Sequence, residues 1–220
     1  MPTQRIPVVE RILGANDDLA ASNRGVLDAH GVHATNIMAS PGAGKTTLIL
    51  RTAQALQGRR ALAVIEGDIA SSVDADKVRA AGVPAVQINT GGNCHLDALQ
   101  VRGALEQLPL AATDLLFIEN VGNLICPVAF DLGEHTRLAI ASVPEGDDKP
   151  HKYPGIYSAV DVLVLTKIDL LPYVPFDRAE FRRLVRSLNP AIRIFELSCV
   201  SGEGMDEWIA WLLERTSHPQ

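Results

Sequence analysis

The octapeptide SPGAGKTT, Ser40 to Thr47, constrains this chain more than any other stretch. It joins an apolar run, ATNIMAS (34–40), to a helical pattern, TTLILRTAQAL (46–56). A strand that breaks at such a turn and restarts as a helix forms a phosphate-binding loop. Its small residues let backbone N–H groups turn inward at the positive end of a helix dipole. Ser40, Pro41, Gly42, Ala43 and Gly44 are expected to form the cradle. Lys45 should reach the β- and γ-phosphates, the Thr46 hydroxyl should ligate Mg²⁺, and Thr47 should add a contact to the α-phosphate. The first glycine of the usual pattern is replaced by Ala39. A residue that small predicts a slightly altered approach into the loop, not a loss of binding.

Around this loop the chain alternates. Short apolar runs at 34–40, 61–68, 85–89, 114–120, 137–143, 161–167 and 192–198 read as strands. Helical spacing appears at 46–56, 73–82, 95–108, 177–188 and 204–215, and an extra amphipathic N-terminal helix at about 6–30 precedes the first strand. Near-continuous apolar strands between helices predict an α/β fold of the P-loop NTPase kind, with a mostly parallel central sheet and helices on both faces. At 220 residues one sizeable core suffices, so 1–220 is read as a single domain. The formal charge of −6 argues against nucleic acid or an acidic membrane as a partner. No apolar run approaches the roughly 18 residues of a membrane helix, and the first residues offer no signal-peptide core. The three cysteines, Cys94, Cys126 and Cys199, form no disulfide framework, which fits a reducing, cytoplasmic setting.

The base follows from LVLTKIDLL (163–171). A carboxylate at Asp169 can accept two hydrogen bonds from guanine, whereas adenine would leave it unpaired. The Lys167 stem can pack on the base. Thr166 stands where many GTPases carry Asn, which predicts weaker bracing of the pocket. Ser198, Cys199 and Val200, in ELSCVSGEG, fall where a second base-contacting loop belongs, and Cys199 reads as packing more than as a ligand. GTP is therefore the expected nucleotide, with GDP as its product.

Two further strand ends carry acids. In LLFIENVGN, Glu119 precedes Gly122 by three residues, a spacing suited to an acid approaching Mg²⁺ through water and a glycine N–H sensing the γ-phosphate. In VIEGD, Glu66 and Asp68 end an earlier strand. Asp68 is the residue expected to hold Mg²⁺ or to orient the attacking water, so Lys45, Asp68 and Glu119 form the expected catalytic set. No arginine finger or general base is legible, which predicts slow turnover.

The segment TGGNCHLDA (90–98) sets Cys94 beside His95, and Cys126 lies four residues beyond Gly122. Such a group suits Zn²⁺ or Ni²⁺, with water, Asp97 or a second subunit as a fourth donor. A buried loop with small apolar cysteines is the alternative. His135 and His151 read as solvated loop residues, and His30, His33 and His218 as residues near helix ends. Trp208 and Trp211 read by default as core packing of the last helix. Lys149 and Lys152 flank Pro150 in what reads as an exposed loop.

Taken in order, SPGAGKTTLI, EGD, INTGGNCHLDA, FIENVGNLICPVAFDLGE, EGDDKPHKYP and LTKIDLLPYVPFD resemble the HypB family of nickel-insertion GTPases that mature [NiFe] hydrogenase. The resemblance runs from about residue 10 to about residue 212. It implies a SIMIBI-class GTPase that hydrolyses GTP slowly and forms a GTP-dependent homodimer. It also implies a Zn²⁺ or Ni²⁺ site from Cys94, His95 and Cys126 at the dimer interface. The implied partners are a zinc-containing nickel chaperone of the HypA type and, as final recipient, the hydrogenase large subunit. The N-terminal cysteine motif and histidine-rich tract of some members have no counterpart here, because no cysteine precedes Cys94 and no histidine precedes His30. Nickel storage is therefore not expected. A urease-type nickel accessory GTPase, a metabolic P-loop kinase and a zinc-stabilised interaction module are the competing readings.

Overall fold

The computed structural model describes residues 8–69 and 71–216, with side chains from Leu13 onward. Its centre is a seven-stranded sheet in the order β3-β2-β4-β1-β5-β6-β7. The strands are β1 (His33–Ala39), β2 (Leu62–Asp68), β3 (Ala85–Asn89), β4 (Leu115–Glu119), β5 (Thr136–Ser142), β6 (Val162–Thr166) and β7 (Arg193–Glu196). Every pairing is parallel. All strand carboxyl ends therefore share one edge, where ligands bind in open α/β sheets.

Alternation along the strands assigns the helices to the two faces. Ile37, Val64, Phe117, Ile140 and Val164 pack toward α2 (Lys45–Leu56), α3 (Val73–Ala80) and α8 (Met205–Arg215). Their neighbours Ala34, Ala63, Ile65, Leu116 and Ile118 pack toward α1 (Val8–His30) and α4 (Ala98–Leu105). Farther along that second face, Met38, Ala139 and Leu163 meet α6 (Pro154–Ala159) and α7 (Arg178–Leu188). Trp208 and Trp211 are buried, and the indole N–H of Trp208 donates to Thr52 Oγ1 at 2.9 Å, tying α8 to α2.

Several sequence expectations need adjustment. Residues 6 and 7 of the expected first helix, and His218, lie outside the described residues. The fourth helix starts at Ala98, not at 95, because Asp97 caps it: Oδ1 accepts from Gln100 N at 2.8 Å while Gln100 reaches back to the Asp97 N–H. This capping box starts the helix three residues later than the apolar spacing suggests. The segment around Lys149 is helical, as α5 (Lys149–Lys152) and then α6. His33 opens β1 instead of ending a helix.

The His33 ring is half-buried, stacks on His135 at 5.0 Å and meets Thr136 Oγ1 at 3.0 Å. Burial first, then the charges of His135, Arg215 and Arg24, hold its pKa down to about 4. In the unfolded chain the same ring titrates near 6.5. As pH falls from about 6.5 toward 4, the unfolded state takes up a proton that the folded state refuses, so stability declines. We expect His33→Gln to flatten this decline in thermal unfolding midpoints across that window. Parallel pH profiles for the two proteins would refute the assignment.

Candidate nucleotide and thiol site

At the carboxyl edge, β1 ends on the fully buried Ala39 and the chain turns through Ser40–Gly44 into α2. The methyl of Ala39 joins the core beneath the loop, so the missing glycine is accommodated. Gly42 and Gly44 adopt φ of 77° and 102°, which side chains resist. Thr166, where weaker bracing than from Asn was expected, holds the loop through its single hydroxyl. Its hydroxyl lies 2.7 Å from Ala43 O and 3.2 Å from Ala141 O; holding one proton, it donates to the closer and ties the phosphate loop to β6. Lys167 is the one non-glycine with positive φ (60°) among the described residues, and its ammonium donates to Gly42 O at 2.7 Å. Its stem therefore bridges from the end of β6 to the loop.

Behind it, Asp169 keeps a buried Oδ1 that finds no hydrogen-bond partner among the described residues. An orphaned buried carboxylate oxygen is costly, and the two N–H donors on one edge of guanine would satisfy it. Ser198 is turned to internal use, since its hydroxyl accepts from Val200 N and Ser201 N, each at 3.1 Å. Cys199 is half-buried against the core, its thiol pushed up to about 11 by burial. Of the expected trio, only Val200 is an open surface, 84% exposed.

A cavity of about 450 Å³ opens beside the loop, lined among others by Lys45, Thr46, Thr47, Asp68, Gly122 and Lys167. Across its floor Glu66 and Glu119 are Cα partners on β2 and β4, and both are buried. Thr46 Oγ1 donates to Glu119 Oε1 at 3.1 Å, and Lys45 Nζ lies 3.7 Å from the same oxygen. Burial raises both carboxyl pKa values. The charge of Glu119 pushes Glu66 further up, while Lys45 and Thr46 restrain Glu119. Glu66 Oε1 and Glu119 Oε2 are buried without partners among the described residues. A donor set of hard oxygens beside a threonine hydroxyl fits Mg²⁺.

Sequence reading favoured Asp68 over Glu66. The structure sets Asp68 half-exposed at the rim, its Oδ1 accepting from Ser71 N at 2.7 Å, and buries Glu66 on the floor. The missed signal was depth within the strand: Glu66 lies two residues before its end, where every residue is buried, and Asp68 is its last and more open residue. Gly122 abuts the phosphate loop, where a Cβ would sit 3.0 Å from Pro41 Cγ and 3.2 Å from Pro41 N. Only glycine fits this approach without a shift.

The thiols gather on the opposite face. Cys126 comes close enough to Cys94 for its thiol, ahead of burial, to raise the Cys94 pKa. His95 Nδ1 lies 3.7 Å from Cys94 Sγ, and its ring stacks on Phe130 at 3.9 Å. Burial lowers the His95 pKa, favouring the neutral imidazole that a metal needs. Among the described residues no three His, Cys, Asp or Glu side chains assemble into a metal cage. One chain thus brings two thiols and a flanking imidazole into one neighbourhood without closing a site, and Asp97 is engaged as a helix cap. His135 sits at the opposite end of the sheet, facing Asp28 Oδ1 at 2.8 Å, and takes no part.

Helix α1 clamps both arms. Asn16 accepts from Ala98 N at 2.9 Å and donates to Asp131 O at 2.8 Å. Asn23 donates to Ala98 O at 2.8 Å and Leu132 O at 3.1 Å.

A parallel sheet, a phosphate loop opening α2 and paired acids on adjoining strands define a P-loop nucleotide-binding protein. Residues 33–196 match the family model described as "CobW/HypB/UreG, nucleotide-binding domain". The chain is 50% identical over 210 residues to the hydrogenase maturation factor HypB of Azotobacter chroococcum mcd 1, covering 96% of this chain and 69% of that one. The crystal structure of HypB from Helicobacter pylori in complex with nickel aligns with a TM-score of 0.88 at 35% identity, covering 94% of this chain and all of that one. HypB from Archaeoglobus fulgidus aligns at 0.87 and 40% identity, covering 93% and 100%. The chain belongs to the HypB family of hydrogenase maturation factors.

The carboxylate pair generates a prediction. A raised folded pKa means that the stability Glu66 contributes is present below about 4.5 and is lost as pH rises. Glu66→Gln should therefore melt no lower than the wild type at pH 8 without Mg²⁺, with its advantage shrinking toward pH 5. The rise in melting temperature on adding Mg²⁺ with GDP should be smaller in the variant. A lower melting temperature at pH 8 with an undiminished Mg²⁺ response would contradict this.

Proposed function

We propose that this chain, as a single G domain over 1–220, binds and slowly hydrolyses GTP and carries nickel for [NiFe] hydrogenase maturation. The observation that carries the reading is the meeting of Cys94 and Cys126 on a loop whose Gly122 lies against Pro41 of the phosphate loop. Cargo thiols and nucleotide thus share one connection. Exposed Leu99 and Ile125, 64% and 66% accessible, flank the thiols. They suit a second copy of the chain, whose donors would complete the site, giving the GTP-dependent homodimer.

The residues divide the work as follows. Backbone N–H groups of Ser40–Gly44 and the Lys45 ammonium hold the phosphates. Thr46, Glu66 and Glu119 offer oxygens to Mg²⁺, which neutralises charge between the β- and γ-phosphates when bound. Asp68, at the cavity rim, orients water in line with the γ-phosphate. Asp169 accepts from guanine and Lys167 covers it. The Gly122 N–H turns to the γ-phosphate and carries Cys126 with it, so hydrolysis releases the thiol geometry and lets nickel pass on. With no arginine among the described residues lining the cavity, turnover is slow. A HypA-type zinc-containing chaperone and the hydrogenase large subunit are the proposed partners, in the cytoplasm. No helix among the described residues is long and apolar enough to cross a membrane.

Two measurements test this. Ni²⁺ and Zn²⁺ titrations with GDP and with a non-hydrolysable GTP analogue, alongside the oligomeric state, should differ between nucleotides and collapse in Cys94→Ala and Cys126→Ala. Metal binding indifferent to nucleotide and to both cysteines defeats the carrier reading. Separately, Asp169→Asn should lose guanine nucleotide affinity by about 100-fold or more, because a carboxylate built for two donors is removed. Retained GDP affinity in that variant defeats the assignment of the base.

A further inference from the structure

β2 and β4 end side by side, and their last residues alternate between the two faces of the sheet. Glu66 and Glu119 turn to the nucleotide cavity. The residue after each acid, Gly67 on β2 and Asn120 just past the end of β4, turns to the other face, where the thiol loop lies. Both meet the same residue there. Leu96, directly after Cys94 and His95, donates its backbone N–H to Asn120 Oδ1 at 3.1 Å. Its side chain fills the space over Gly67, where a Cβ would stand 2.8 Å from Leu96 Cγ and Cδ1 and 2.9 Å from Cδ2. Leu96 is fully buried. Asn120 is pinned in turn, its Nδ2 donating to Asn36 Oδ1 at 3.2 Å.

We propose that Leu96 is the positioning residue through which nucleotide state reaches the thiol pair. The proposal rests on the carrier reading above and names the part that makes the coupling work. Gly67 lies between Glu66 and Asp68, so a shift of the β2 tip as those acids engage phosphate or Mg²⁺ presses directly on Leu96. The Asn120 hydrogen bond fixes the Leu96 backbone to the strand that leads to Gly122 and Cys126. A close-packed contact of this kind has no slack and transmits displacement. Beyond it, Ala98 is held at both its N–H and its carbonyl by Asn16 and Asn23 of α1, at 2.9 and 2.8 Å. Before it, Gly91 and Gly92 take positive φ of 62° and 106°, a turn that can absorb backbone rotation. Movement at Leu96 is therefore blocked toward α4 and taken up by Cys94 and His95. Hydrophobic bulk at 96 and absence of a side chain at 67 are one device.

The test is the ratio of Ni²⁺ dissociation constants measured with GDP and with a non-hydrolysable GTP analogue. By linkage, Ni²⁺ must change nucleotide affinity by the same factor, which gives a second reading of the same quantity. Leu96→Ala should bring the ratio to within about twofold of one, where couplings of this kind commonly span roughly 5- to 150-fold. Leu96→Met, which keeps the bulk, should restore it. Gly67→Ala forces Leu96 aside from the opposite partner and should lower the ratio in the same way, which covers the case of a Leu96→Ala protein too unstable to titrate. A purely structural role would weaken Ni²⁺ equally in both nucleotide states and leave the ratio intact, and that result overturns the proposal. A wild-type ratio of one defeats the carrier reading and the relay together. A wild-type ratio well away from one that Leu96→Ala and Gly67→Ala both preserve defeats the relay alone.

Discussion

The parallel pairing of β2 with β4 holds the rest of the site in place. Its register sets Glu66 opposite Glu119, two buried carboxyl groups whose pKa values burial raises, Glu66 further still by the charge of Glu119. Such a pair works against folding at neutral pH. It persists because the surrounding hydrophobic sheet, packed on both faces, over-determines the strand positions. The result is a floor of unsatisfied oxygens next to Lys45 and Thr46, poised for a cation and phosphates. The arrangement exchanges stability for preorganisation, as binding sites commonly do.

The same pairing divides the molecule's work between the sheet's two faces. Because side chains alternate, the residues adjoining the acids, Gly67 and Asn120, look toward the thiol loop. A parallel sheet with all its carboxyl ends on one edge brings a phosphate loop after β1, acids at the ends of β2 and β4, and the Asp169 carboxylate after β6 to one side of the molecule. The loop after edge strand β3 then needs only the short step to Leu96 to be in contact with that machinery. Helix α1 completes the arrangement from outside the sheet. Asn16 and Asn23, seven residues apart and so on one helix face, grip the start of α4 and the chain after Cys126 at once.

Bracing of the base pocket shows how a substitution is absorbed. Asparagine would offer an amide at position 166; threonine offers one hydroxyl, and the Ala43 carbonyl receives it. The carbonyl is satisfied, the loop is tied to β6, and Lys167 is held in a left-handed backbone conformation that its contact to Gly42 helps to secure.

Local pattern alone determined much of this protein. Seven apolar runs and the spacing of the helices gave the strand positions to within a residue or two, and SPGAGKTT gave the phosphate loop, because these depend on periodicity and on glycine's freedom within a few adjacent residues. The place of Asp169, just past the end of β6, was legible for the same reason. Tertiary structure alone decided that Glu66 is buried on the cavity floor while Asp68 stands at its rim, that Asp97 caps α4, and that Thr166 ties the phosphate loop to β6. It also decided that Leu96 touches both strand tips and that Cys94 finds Cys126. Each of these turns on which residue lies opposite across a strand pair or on the far side of the sheet. Register and packing set that distance in space, and separation along the chain carries no information about it.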